Sequence, residues 1–447
     1  MESNCVQFLG NKTILITGAP GFLAKVLVEK ILRLQPNVKK MYLLLRAADT
    51  KAAMQRLRSE VLRNDLGEEN LNDLVREKIV PVPGDISIHN LGVKDSDLLQ
   101  RMCSEIDIII NIAATTNFDE RAKVHGWPNT YVFTKAMGEM LVGKYRENLP
   151  LVIVRPTMIT STLAEPFPGW IEGLRTIDSV IVAYGKGRLK CFLADPNTVF
   201  DLIPADMVVN AMIATATAHS GETGIQTIYH VGSSFQNPVT FGQLHETAAR
   251  YFTKKPLVAR NGSPIIVTKG TLLSTMGQFS LYITLRYKLP LLILRLMNII
   301  YPWSQGDKYN DDSRKIKLAM RLVDLYQPYL LFKGIFDDLN TERLRRRRQS
   351  IKELDGSFEK KHGNKQHKSV KAEDVVEPVV LEDDEEESPD KKTNTVWTSG
   401  YIEPDYLSTN SGFYGKLGEG DSSSSLKNDF NKVKTFDLRG VTTTKEK

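Results

Sequence analysis

The sequence predicts an α/β fold, a doubly wound parallel sheet followed by a smaller helical C-terminal domain and a disordered tail. Three observations carry this. Short unbroken apolar runs alternate with longer stretches of helical periodicity, as strands covered on both faces alternate with crossover helices. The first run breaks at Thr17-Gly18 and restarts at once as a helix, with small residues at Gly18, Gly21 and Ala24. From about Phe241 the pattern is helical, and beyond Asn340 it becomes charged and poor in apolar residues.

Composition sets wide bounds. The 447 residues suggest two or three domains. A hydrophobic fraction of 41% with 25% charged residues is ordinary for a globular chain with a sizeable core. The net charge of +6 suits a polyanionic small molecule but is too small to argue for nucleic acid. Cys5, Cys103 and Cys191 stand in no metal or redox spacing, which points to a reducing compartment and predicts no metal site. The start, MESNCVQFLGNK, has neither a basic segment before an apolar core nor the Arg-rich character of a transit peptide, so no targeting segment is expected.

In chain order, residues 13–16 (TILI) read as a buried strand, and FLAKVLVEKILRL after it as a helix. Gly18, Gly21 and Ala24 fall at the G-x-x-G-x-x-[GA] spacing. Small residues there allow a tight turn, a close approach of backbone N–H groups to a pyrophosphate and tight helix–strand packing. The anion would sit at the helix N-terminus. The second strand, 40–45, ends at Arg46, where an acidic residue would suit a ribose hydroxyl and an arginine suits a 2′-phosphate, so NADP(H) is expected. Residues 50–78 read as charged helix and 79–82 as a third strand, after which Asp85 is placed to face the adenine amine. Residues 106–112 (IDIIINI) read as a fourth strand, and the small Ala113-Ala114 pair lets a cofactor pass close to its end.

Tyr131 and Lys135 form a Y-x-x-x-K pair, four residues apart and so on one face of a helix. In a nicotinamide enzyme such a phenol donates a proton to the carbonyl oxygen that receives hydride. The ammonium lowers the phenol's pKa and holds the ribose hydroxyls. The strand LVIVRP, 151–156, follows.

Five segments, the T-G-x-x-G-F-L-x-K turn, NIAATTNFDER, WPNTYVFTK, RPTMI and EPFPGWIEG, together resemble the alcohol-forming fatty acyl-CoA reductases. The plant branch of that family, within the extended short-chain dehydrogenase group, is the most similar, over residues 1 to about 340. The resemblance implies a Rossmann-type NADP-binding domain at 1–240, a helical domain at 241–340 and two NADPH-dependent reductions. A long-chain fatty acyl-CoA would go to the aldehyde with loss of CoA, then to the primary alcohol. By the same motifs Thr17, Gly18, Gly21, Phe22, Leu23, Arg46, Asp85, Ala113, Lys135, Pro156 and Thr157 would bind NADPH. Pro156 and Thr157 would line the nicotinamide, and Tyr131 with Lys135 would carry the chemistry. The cytoplasm or the cytoplasmic face of the endoplasmic reticulum is the expected location. A nucleotide-sugar epimerase and a non-catalytic nucleotide-binding protein are the alternatives.

One departure stands out. Only 115–130 separate Ala114 from Tyr131, whereas a doubly wound fold needs a crossover helix, a fifth strand and a return loop there. The family's Ser/Thr partner of the Tyr–Lys pair belongs on that fifth strand, so the sequence predicts an internal deletion with its seam at Arg121–Ala122. Thr115 and Thr116 are the nearest replacement hydroxyls and lie at the end of the wrong strand.

Further on, Lys186 and Arg188 flank a glycine turn that either reaches CoA phosphates or is a simple loop. Asp206 is expected to cap the helix that follows it, and 228–232 to form a last strand in which His230 is structural. The apolar stretch 285–303 contains Arg286, Lys288, Pro290 and Arg295, too interrupted to span a bilayer. It reads either as a buried helix or as a helix lying on a membrane surface or an acyl chain. The run RLRRRR at 343–348 opens a tail, 341–447, whose charge blocks predict disorder.

Overall fold

The computed structural model describes residues 7–61, 77–114, 130–173, 176–300 and 306–347. The anticipated seam, Thr115, Thr116 and nearly all of the tail lie outside them.

The first half is built as the apolar runs require. Strand β1 (Thr13–Thr17) leads into helix α1 (Phe22–Leu34), followed by β2 (Lys40–Leu45) and α2 (Thr50–Arg56). The Asp49 carboxylate caps α2, accepting from Ala52 N at 2.7 Å. Strand β3 (Ile79–Pro83), helix α3 (Ser96–Glu105) and strand β4 (Ile108–Asn111) complete the unit. The sheet order is β3-β2-β1-β4 and every pairing is parallel. Alternate residues of the inner strands feed two cores. Ile14, Ile16, Met41, Leu43 and Leu45 pack on α1 through Leu27 and Ile31. Leu15, Tyr42, Leu44 and Val82 pack with Leu98 and Met102 of α3.

Strand β4 is shorter than its apolar run. Ile106 ends α3, and the Asp107 carboxylate turns aside to accept from Thr13 N at 2.8 Å.

The second half begins with α4 (Thr130–Tyr145), β5 (Leu151–Pro156) and β6 (Met158–Thr160). Next come α5 (Thr176–Gly185), β7 (Cys191–Leu193), β8 (Leu202–Pro204), α6 (Ala205–Ala218) and β9 (Gln226–Val231). Here the structure departs from a continuous doubly wound sheet. Strand β5 pairs in parallel with β9 and β6 with β8, in two-stranded sheets separate from the first. Among the described residues no strand lies between β4 and β5. Every described residue of β5 is only half buried, and Ile109 of β4 is 49% exposed. An isoleucine run suited to burial on both faces is therefore left open on one side.

The C-terminal part holds α7 (Phe241–Lys254), opened by a Thr240/Gln243 capping box, then β10 (Thr271–Leu273) and α8 (Met276–Ile283). A five-residue π turn, Thr284–Lys288, joins α8 to α9 (Leu289–Ile300), and α10 (Gly306–Leu330) packs back on both. It is not purely helical. Strand β10 pairs in parallel with β7, so the C-terminal core shares Leu193 with the preceding half. Helical structure runs over 339–347, past Asn340. The Thr341 hydroxyl donates to the His230 carbonyl at 2.6 Å, and Asn340 Nδ2 to the Ile228 carbonyl at 2.9 Å, fastening this segment along β9.

Candidate active site

The glycine turn is constrained by its surroundings. Gly18 has φ +72°, and a Cβ there would stand 2.8 Å from Ala113 N and 2.9 Å from its Cα. Neither a left-handed conformation nor that approach is open to an ordinary side chain. Gly21 precedes α1 with no capping side chain, and no acidic residue lies in the helix's first turn. The helix therefore presents its N-terminal N–H groups and positive dipole end, with Phe22 and Leu23 as its first two residues. The Thr17 hydroxyl donates to Asn111 Oδ1 at 2.6 Å and accepts from Ala113 N at 3.4 Å, locking the ends of β1 and β4 together. The site fits a dinucleotide pyrophosphate. Asn111 is a site residue that the sequence pattern does not reveal, because its partner lies 94 positions away.

At the end of β2, Arg46 is exposed, and its Nε lies 3.4 Å from an Asp85 carboxylate oxygen. Backbone and hydroxyl donation by Ser87, the former the largest influence, together with Arg46 holds the Asp85 carboxyl below its usual range. Arg56 anchors this corner from α2. It donates to the Arg46 carbonyl at 2.6 Å and grips Glu60 through two bonds of 2.7 Å. The structure thus brings Arg46 and Asp85 together.

Helix α4 spans the interval between the two sheets and carries Tyr131 and Lys135. Lys135 Nζ donates to the Ala113 carbonyl at 3.1 Å on the β4 side. Glu139, one turn on, forms a forked pair with Arg155 of β5 at 2.6 and 3.3 Å. Burial pulls the Lys135 ammonium below its usual pKa, and Glu139 opposes that in part. Tyr131 is buried at the start of the helix.

Across the site, Pro156 ends β5 and Thr157 is buried between β5 and β6. Asp201 pins this corner. Its carboxylate accepts from the Thr157 hydroxyl at 3.0 Å and Ser233 N at 2.8 Å, and from the Ser234 hydroxyl. Gly232 has no room for a side chain against it, since a Cβ would fall 2.8 Å from Asp201 Oδ2.

The EPFPGWIEG loop is fastened over α1. Lys25 and Lys30, buried on that helix, pair with Glu172 and Glu165 of the loop, and Arg33 reaches Glu165 at 3.0 Å. Trp170 meets Phe22 edge-on at 5.5 Å between centroids. Asp206 does not cap its helix, whose N-cap is Pro204. Instead it accepts from the backbone N–H groups of Leu163, Ala164 and Glu165 at 2.8–3.1 Å. Burial alone would raise its pKa, but those three donors outweigh it and hold the carboxyl low. His230 has a structural contact, its Nδ1 lying 2.9 Å from the Asp337 carbonyl. Lys186 and Arg188 stand on a turn with Gly187 at φ +67°. Among the described residues no cluster suited to a metal ion occurs.

Comparison with known proteins follows the same outline. The NAD-binding family described as Male sterility protein matches residues 16–125 and 119–212. Fatty acyl-CoA reductase 1 of Arabidopsis thaliana is 67% identical over 464 aligned positions, covering 80% of this chain and 94% of that protein. The alcohol-forming fatty acyl-CoA reductase of Simmondsia chinensis is 42% identical, covering 78% and 93%. Among solved structures, the terminal reductase domain of the myxalamid pathway is 21% identical with a TM-score of 0.47, covering 75% of this chain and 85% of that one. Two features of these alignments bear on the sheet. The family match comes in two stretches that meet over 119–125. The 464 aligned positions exceed the chain's own 447 residues although only 80% of it takes part, so the relative carries residues that this chain lacks.

Proposed function

The chain belongs to the fatty acyl-CoA reductase family, and we propose that it binds NADPH and long-chain fatty acyl-CoA but reduces the thioester to the alcohol far more slowly than an intact relative. The observation that carries this reading is the contrast between the two sides of the site. The glycine turn, the β1–β4 lock and the Arg46 corner are all formed, whereas among the described residues no strand pairs with the outer edge of β4.

When bound, the nicotinamide supplies hydride. This chain's residues supply the rest. Gly18 and the uncapped start of α1 accept the pyrophosphate, and Arg46 turns from Asp85 to a 2′-phosphate, a charge-assisted and bidentate contact. Lys135 holds the ribose hydroxyls, and its charge favours loss of the Tyr131 proton to the substrate's carbonyl oxygen. Pro156 and Thr157, fixed by Asp201, wall the nicotinamide. Among the described residues no strand beside β4 carries the third hydroxyl that would steady the same oxygen. Acid–base placement of this kind is worth ~10²–10⁴-fold in rate. The absence of that strand also favours the second reading, a nucleotide-binding protein without turnover.

Cofactor titration by protein fluorescence tests the binding half. NADPH should bind more tightly than NADH, and Arg46→Glu should narrow or reverse the difference. Equal affinities in the parent chain would remove Arg46 from the cofactor site.

A further inference from the structure

Helices α8 and α9, with the π turn between them, form a continuous helical rod over 276–300 with two unlike long faces. Phe279 and Ile283 are buried, and Tyr287 packs with them against Ile316, Met320 and Val323 of α10. On the outer side, Leu281, Leu285, Leu289, Leu292, Ile293 and Leu296 are each 44–60% exposed.

The spacing of these residues gives the outer face its length. Leu281, Leu285, Leu289 and Ile293 recur every four residues, and an ordinary α-helix would let such a series drift ~40° per step. The wider π turn absorbs much of that drift. Pro290 accounts for the turn, since it cannot donate to the ladder, and the Leu289 N–H bonds the Thr284 carbonyl five residues back. The result is a straight apolar stripe rather than a spiral one.

The charges along the rod complement one class of partner. Residues 276–300 include Arg286, Lys288 and Arg295 and no Asp or Glu. On the helical projection Arg286 falls on one flank of the stripe, and Lys288 and Arg295 fall on the other. All three side chains are exposed. The Arg286 guanidinium lies 5.9 Å from the Tyr287 ring centroid, back toward the packed side. Cations on both edges of an apolar face can reach outward to headgroup phosphates while the face enters the acyl boundary. No helix of the described residues is long and apolar enough to cross a membrane.

We infer that the outer face of 276–300 is a docking surface for an anionic lipid bilayer, with the six apolar side chains inserted at the interface and Arg286, Lys288 and Arg295 on headgroup phosphates. The inference stands apart from catalysis and holds whether or not the chain turns over substrate.

Vesicle co-sedimentation of the full chain tests it. Vesicles of phosphatidylcholine alone are compared with vesicles doped with phosphatidylserine, at low and high salt. The parent chain should sediment with the anionic vesicles and leave them as salt rises. Leu285→Asp with Leu292→Asp should return it to the supernatant. Arg286→Glu with Lys288→Glu should weaken binding by ~10-fold or more at low salt. These side chains are exposed, and circular dichroism melting checks that each variant is folded. A parent chain that stays in the supernatant overturns the inference, as do equal binding to both vesicle types and equal binding by parent and variants. Self-association without vesicle binding, abolished by the leucine substitutions, overturns it in favour of a second copy. Binding of monomeric long-chain acyl-CoA on the stripe without vesicle binding overturns it in favour of the substrate.

Discussion

Gly18 and Asp201 mark the two ways a residue here acquires its role. Gly18 is legible in the sequence because its constraint is local, a strand-to-helix turn needing a left-handed residue with no side chain. Tyr131 and Lys135 are legible for the same reason, as a four-residue spacing on one helix. Asp201, Asp206, Asn111 and Glu172 are not, because each is defined by partners that only the fold brings close. Asp201 and Thr157 are 44 positions apart, and Glu172 and Lys25 are 147 apart. Asp206 shows where a local pattern misleads: a carboxylate at a helix start suggests a cap, yet its oxygens accept from the 163–165 loop instead. Asp178 of α5 gives a test at this scale. Burial pushes its carboxyl up to about 6, only partly offset by its own backbone N–H. Its folded pKa lies above its unfolded value, so the native state binds more protons in the window between about 4 and 6. Stability should therefore fall as pH rises through that window. Asp178→Asn should raise Tm at pH 7 by a few degrees and leave it nearly unchanged at pH 4, as read by scanning fluorimetry. Equal shifts at both pH values would show that the carboxyl's ionisation is not the cause.

Among the elements, the inner strands are plain from their apolar runs, and the helices from their periodicity. Strand β10 is not, because three residues of an apolar turn carry no period and are ordered only by pairing with β7. The π turn is equally hidden, since it follows from a missing donor at Pro290 rather than from any preference of the five residues in it. Strand β4 is where element and context disagree most. Its sequence suits burial on both faces, and its setting leaves one edge without a strand among the described residues. Amide exchange should expose that mismatch. The amides of β1 and β2, inside the sheet, should be the slowest in the molecule, and those of Ile108–Asn111 should exchange at least ~10-fold faster. Protection of β4 equal to that of β1 would mean that its outer edge is covered. Arg155 and Glu139, with Lys135 on Ala113, hold α4 across the same interval, which explains how the Tyr–Lys helix keeps its place without the strand that would support it.

For the whole molecule, the family match falls in two stretches, 16–125 and 119–212. Identity of 67% to an Arabidopsis reductase extends over 80% of the chain. Length and spacing alone raise the expectation of a deletion, because the stretch 115–130 is too short to hold a crossover, a strand and a return. What they do not convey is the division into a four-stranded cofactor half and separate two-stranded sheets beyond it. We propose that cofactor binding survives this division and that fatty-alcohol formation largely does not. The most direct measurement incubates purified chain, shown by fluorescence to be saturated with NADPH, with C16 to C22 acyl-CoAs and quantifies fatty alcohol by gas chromatography beside an intact relative. Alcohol is expected at a rate ~10²-fold or more below the relative's. A comparable rate, abolished by Tyr131→Phe, would contradict it.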